Sequence, residues 1–169
     1  CDAGCRAFDI NGVVTDNIFV AGDIARAPHV LYVYQFMAIE HVGAAVLGAQ
    51  TAARNMVNLE TRPRPHLPLP QFWSGQFGVN IKSVGVPSFG EQIVFTQGSV
   101  KERRFAPAYG HRGGIVAAVT FDQGKWLEYY ARLIEQSAPF PPPPPGWPLR
   151  SRAGRSFASA GPRAPMRRS

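Results

Sequence analysis

At 169 residues with 45% apolar side chains, the chain is long enough for one domain with a buried core, or slightly more. No apolar run approaches the roughly 18–20 residues that cross a bilayer, and CDAGCRAFD lacks a signal-peptide pattern, so a cytoplasmic protein without membrane contact is expected. The formal charge of +7 does not describe a basic domain: six of 18 Lys+Arg (Arg150, Arg152, Arg155, Arg163, Arg167 and Arg168) follow residue 146, leaving 12 bases against 11 acids.

Residues 1–12 are a lead-in ending in an Asn11-Gly12 turn signal. Because the chain opens on Cys1 within what reads as a sheet, a piece of a longer protein is expected. Cys1 and Cys5 offer too few partners for a disulfide framework or a zinc site and read as ordinary thiols. Residues 13–22, with Ile18-Phe19-Val20-Ala21 at their centre, read as a strand buried on both faces. Gly22-Asp23 ends it. This is either a plain strand-ending turn or the ligand edge of a parallel sheet, where Gly22 permits close approach and Asp23 accepts hydrogen bonds from a hydroxyl-bearing ligand.

Residues 24–39 lack periodicity, and Pro28 bars a helix, so a loop is expected that covers either a ligand or the core. Glu40-His41 before a helix reads as a solvated or capping pair. From Val42 to about Val57, apolar residues recur at three- and four-residue spacing, which predicts a helix packed closely through its alanines. Its unpaired N-terminal amides carry partial positive charge, and Arg54 complements the other end.

Four prolines in residues 59–70 predict a stiff linker and a domain boundary. Gln71-Phe72-Trp73-Ser74-Gly75-Gln76-Phe77-Gly78 then forms an aromatic cluster that could serve as hydrophobic anchoring. Residues 79–86, 91–97, 100–106 and 114–121 read as an antiparallel meander. Asp122 is expected to cap a helix over about 124–136, with Trp126, Leu127, Tyr130, Leu133 and Ile134 in one stripe and Glu128–Arg132 as an i,i+4 pair. His66 and His111 stand in loops without sequence-adjacent partners. Pro141–Pro145 favour a polyproline II rod. The segment after it is basic and of low complexity, and its Arg/Ala/Pro/Ser/Gly composition matches read-through of GC-rich DNA in a shifted frame better than a nucleic-acid arm, which would need aromatics for stacking.

The run TDNIFVAGDIARAPH, then Ile39-Glu40-His41-Val42, then Ala52-Ala53-Arg54-Asn55-Met56, and finally QFWSGQFG resembles the FAD-dependent pyridine nucleotide-disulfide oxidoreductases of ferredoxin reductase type, the group that also includes proteins like apoptosis-inducing factor. The resemblance covers about residues 5–140. It implies an α+β chain: the C-terminal segment of an FAD-binding α/β domain (1–58), a linker (59–70), a reductase C-terminal domain of antiparallel meander and flanking helices (71–140), and a disordered tail (141–169). It implies that Asp23, beside Gly22, holds the ribityl chain of FAD. Glu40 and His41 would flank the isoalloxazine ring, the backbone at Val42 would reach its pyrimidine edge, and Trp73 would lie against it. Relatives generally carry Trp at the Val42 position and Asp at the Gly75 position. No residue is singled out as catalytic, because the chemistry belongs to the cofactors.

The implied activity is electron transfer from NAD(P)H through FAD to a ferredoxin or similar iron–sulfur carrier. No G-x-G-x-x-G stands in this chain, so the FAD- and NAD-binding glycine motifs are expected in a missing N-terminal portion, and whether these residues alone act as an enzyme stays open. The alternative reading is a non-catalytic interaction or assembly module built on the same fold. Oligomeric state is open, a homodimer included.

Overall fold

A computed structural model describes residues 1–59 and 63–144. Of the polyproline II rod expected over Pro141–Pro145, Pro145 lies outside the described residues, as does the basic tail. The architecture is α+β, with antiparallel sheets and two α-helices.

The N-terminal part holds two small hairpins and a helix. β1 (Arg6–Phe8) pairs antiparallel with β2 (Val14–Phe19). The expectation of a parallel strand buried on both faces is therefore corrected: β2 pairs antiparallel with β1, and Ile18 keeps 54% of its surface exposed. Residues 24–39 are not a loop either. β3 (Arg26–His29) and β4 (Gln35–Ala38) form a second antiparallel hairpin, joined by a 3-10 turn over Val30–Tyr32. Alternation is absent because the tip, and not one face of the hairpin, is the part that buries: Tyr32 is fully enclosed.

α1 (Val42–Met56) forms where the periodicity predicts it, with Arg54 in its last turn, but Val42, Val46 and Met56 of the apolar stripe are exposed and the buried residues are Gly48, Ala52 and Asn55. Asn55 is its anchor. The buried carboxamide donates to Gly4 O (2.8 Å) and Arg64 O (2.9 Å), and accepts from the Arg64 N–H (3.0 Å). Residues 63–70 are extended, as their prolines require, but they are fixed to the rest: the His66 N–H donates to Ala3 O at 2.6 Å.

The C-terminal part is one five-stranded antiparallel sheet. Its strands are β5 (Gln71–Gln76), β6 (Val79–Gly85), β7 (Gln92–Ser99), β8 (Arg104–His111) and β9 (Gly114–Phe121), in the order β5-β6-β9-β8-β7. The aromatic cluster at 71–76 is thus an edge strand, and β6 pairs β9, so only β7-β8-β9 forms a sequential meander. The strand placed at 100–106 begins at Arg104, after a turn closed by the Arg103 N–H on Val100 O (3.0 Å).

α2 (Leu127–Glu135), preceded by a 3-10 turn over Gly124–Trp126, lays Tyr130, Leu133 and Ile134 on the sheet. They pack on Val84, Ala106, Ala108, Ile115 and Ala118, where small strand residues let the helix approach closely. Tyr130 Oη donates to Thr96 Oγ1 (2.5 Å), whose own proton goes to Ala106 O (2.7 Å), so this buried hydroxyl pair is satisfied. Asp122 does not cap the helix. Its carboxylate accepts from the Asn80 N–H (2.9 Å) and closes the strand end instead. The Glu128–Arg132 pair does not form: among described residues the ion pair between Arg or Lys and a carboxylate is Arg6–Asp2.

Tyr32 joins the two parts. Its hydroxyl donates to Val116 O of β9 (3.1 Å), and its ring meets Phe89 edge-on at 5.1 Å between centroids. Burial pushes its phenol pKa upward.

Candidate functional site

The end of β2, the β3–β4 hairpin, α1, the extended segment 63–70 and β5 enclose a cavity of about 360 Å³. Its walls are mostly apolar, including Val20, Ala21, Met37, Ile39, Leu47 and Pro68. Three residues expected at a site from sequence line it: Gly22, His41 and Trp73. Gly22 starts the turn closed by the Ala25 N–H on Gly22 O (2.9 Å), and its φ of 77° lies where a glycine is favoured.

His41 is the N-cap of α1, yet its side chain caps nothing, and its Nδ1 is buried without a hydrogen-bond partner. An orphaned buried ring nitrogen costs free energy unless something bonds to it. Gly43 fixes the geometry around it. A Cβ built on Gly43 would stand 3.8 Å from His41 Nδ1, 3.9 Å from Trp73 Cζ3 and 3.9 Å from Gln71 O. Thus a ring nitrogen, an indole and a helix N-terminus converge on one small space.

The other three expected residues do not line the cavity. Asp23, Glu40 and Val42 are exposed, Val42 at 60% as the first residue of α1. Asp23 still acts on the site: burial lowers the His41 pKa, and the Asp23 charge opposes that shift. Trp73 is 58% exposed, its face available beside the α1 terminus.

Several wall residues carried no sequence signal. Gly43 is one; a glycine directly after Val42 at the helix start was the available clue. His29 and His66 are others. The Leu31 N–H donates to His29 Nδ1 (3.3 Å), which leaves Nε2 protonated to donate to Pro68 O (3.2 Å). His66 Nδ1 lies 3.2 Å from Thr51 Oγ1. His111 Nδ1 lies 3.2 Å from Glu91 Oε1 but, like His41 Nδ1, is buried without a hydrogen-bond partner. Cys5 is buried with its thiol pKa raised by burial, and no metal-holding group of His, Cys, Asp or Glu occurs among the described residues.

Burial lowers the pKa of His29, His41 and His66 below the ordinary 6.5. The unfolded chain therefore binds more protons as pH drops through 6.5, and stability rises with pH across that range. Stability is expected to be full above about pH 6.5 and to erode below it toward the lowered folded values. Urea midpoints at pH 7.5 and 5.5 check this: the lower pH should give the lower midpoint, less so in His29→Gln.

Comparison with known proteins matches residues 71–144 to the family model "Reductase C-terminal". The chain is 30% identical over 120 residues to a protein named probable ferredoxin reductase CtmF from Castellaniella defragrans (strain DSM 12143 / CCUG 39792 / 65Phen), covering 66% of this chain and 28% of that one. The structure of a covalent putidaredoxin reductase–putidaredoxin complex matches at 26% identity and a TM-score of 0.63, over 72% of this chain and 28% of that one. Fdr9 matches in fold at 24% identity and a TM-score of 0.67, over 82% and 34%. The chain thus spans about a third or less of these relatives. Residues 71–144 match the reductase C-terminal family, and the chain is similar to ferredoxin reductases over a minority of their length.

Proposed function

We propose that this chain is the C-terminal part of an FAD-dependent NAD(P)H:ferredoxin-type reductase and that its cavity receives the flavin ring. The observation that carries this reading is the convergence of His41 Nδ1, the α1 N-terminus and Trp73 on one apolar-walled space. Its volume sits near the low end of the range for small-molecule sites, about 300–1,000 Å³, which suits a ring system and not a whole dinucleotide. The residues fit the group. The indole supplies a flat apolar face, the first helix amides favour an electron-rich ring edge, and His41 Nδ1 lacks the partner that a ring heteroatom would provide. Asp23, exposed and next to the lining residue Gly22, would accept from a hydroxyl-bearing chain leaving the cavity.

Bound there, FAD would take hydride from NAD(P)H and pass single electrons to an iron–sulfur protein. Residues of this chain would orient the ring and exclude water from one side of it. The domain limits proposed are 1–58 for the FAD-domain segment, 59–70 for the linker and 71 onward for the reductase C-terminal domain.

Titrating FAD fluorescence with the purified chain tests the reading. Saturable quenching is expected, weakened about tenfold or more in Trp73→Ala, a loss in keeping with about 1.4 kcal/mol. Quenching that Trp73→Ala leaves unchanged would reject the ring site. No quenching at any accessible concentration would reject flavin binding by these residues alone.

A further inference from the structure

β7 is an outer strand of the five-stranded sheet, and among the described residues β8 is its one strand neighbour, with no strand on its other edge. Sheet proteins usually protect such an edge with charge, proline, shortness or a bulge. β7 lacks the first three and carries a bulge between Phe95 and Gln97. It is eight residues long, and from Gln92 to Val100 the chain holds no charged residue and no proline. Ile93 and Phe95, two apart and so on one face, are 57% and 58% exposed. The aromatic row continues inward from Phe95 to Phe105 (5.7 Å between centroids) and on to Phe121, stacked on Phe105 at 4.4 Å.

We infer that β7 pairs with β7 of a second copy of this chain, antiparallel about a two-fold axis through Val94. Two features favour a second copy as the occupant. A two-fold sets each residue against its own strand reversed, and a charge-free strand meets no like charge there. The register is also self-complementary: with Val94 opposite Val94, Ile93 of each copy faces Phe95 of the other, the aromatic–β-branched pairing that stabilises antiparallel strands. The bulge between Phe95 and Gln97 limits regular pairing to about residues 92–96. The contact is isologous, so it closes at two copies and does not propagate. An interface this small belongs with weak, reversible association. The inference is independent of flavin binding.

Sedimentation velocity on the whole chain from about 10 to about 500 μM tests it. The weight-average mass should rise from 18.4 kDa toward twice that value. Ile93→Lys and Phe95→Lys alter exposed side chains, and both should stay monomeric with unchanged circular dichroism. In a Cys1→Ser/Cys5→Ala background, Val94→Cys should oxidise to a disulfide-linked dimer far more readily than Phe95→Cys. A monomer at every concentration overturns the proposal, as does a dimer that both lysine variants leave intact. Crosslinking at position 95 in preference to 94 overturns the two-fold through Val94.

Discussion

Replacing Tyr32 with alanine is expected to destabilise the chain by about 3–5 kcal/mol, the range for deleting a buried aromatic side chain. Tyr32 is fully buried, although it sits at the tip of a small exposed hairpin. Its ring lies 5.0 Å from His29 and 5.1 Å from Phe89, so alanine would leave a cavity where the N-terminal hairpins meet the C-terminal sheet. Tyr32→Phe keeps the ring and removes the hydroxyl donated to Val116 O, a loss of about 0.5–1.5 kcal/mol. Urea denaturation of the two variants separates these contributions. Hydrogen exchange adds a second readout: in Tyr32→Ala, amides of residues 26–38 should lose protection while those of β8 and β9 keep it. Equal, small effects from both variants would mean that the hairpin tip does not join the two parts.

Gly85→Ala should cost about 3 kcal/mol or more, through a different cause. At the end of β6 the backbone turns to φ 79°, where any residue with a Cβ pays about 1–2 kcal/mol. That Cβ would also stand 2.1 Å from Val116 O and 2.8 Å from Ala117 Cα, both in backbone, so no side chain can swing aside. β6 has little freedom to move away, because Gly85 pairs with Ala117 and its N–H donates to Pro70 O (2.8 Å). The control is Gly75→Ala on the edge strand β5, where nothing lies within 4 Å of the added Cβ. That variant should fall within about 0.5 kcal/mol of the parent.

Both residues show which parts of the fold the sequence carries openly. α2 is legible because apolar residues at helical spacing record one buried face, and the structure buries Tyr130, Leu133 and Ile134 accordingly. In α1 the spacing gives the helix but not its face: Val42, Val46 and Met56 are exposed, while Gly48, Ala52 and Asn55 are buried. The β3–β4 hairpin is not legible: Pro28 and a lack of alternation hide it, and the residue that matters, Tyr32, buries against a strand 84 positions away. Strand order fails for a similar reason, since the pairing of β6 with β9 depends on contacts that no local pattern encodes. Asp122 has the chemistry of a helix cap, but the Asn80 amide reaches it first.

The site divides along the same line. Gly22, His41 and Trp73 stand in motif-like runs and can be picked out individually. Gly43, His29 and Pro68 become wall residues only when the linker folds back over α1, a tertiary event held by Asn55. Asp23, Glu40 and Val42 belong to the same runs yet stay at the surface, because sequence proximity to a site does not decide which way a side chain faces.

The most direct test of the central claim, that this cavity is the flavin ring's place, is an amide chemical-shift titration of the isotopically labelled chain with FAD. Saturable shifts are expected together at Gly22, Asp23, Val42, Gly43 and the Trp73 indole N–H. Shifts confined to Arg150, Arg152, Arg155, Arg163, Arg167 and Arg168, the pattern of phosphates on a basic segment, would contradict it.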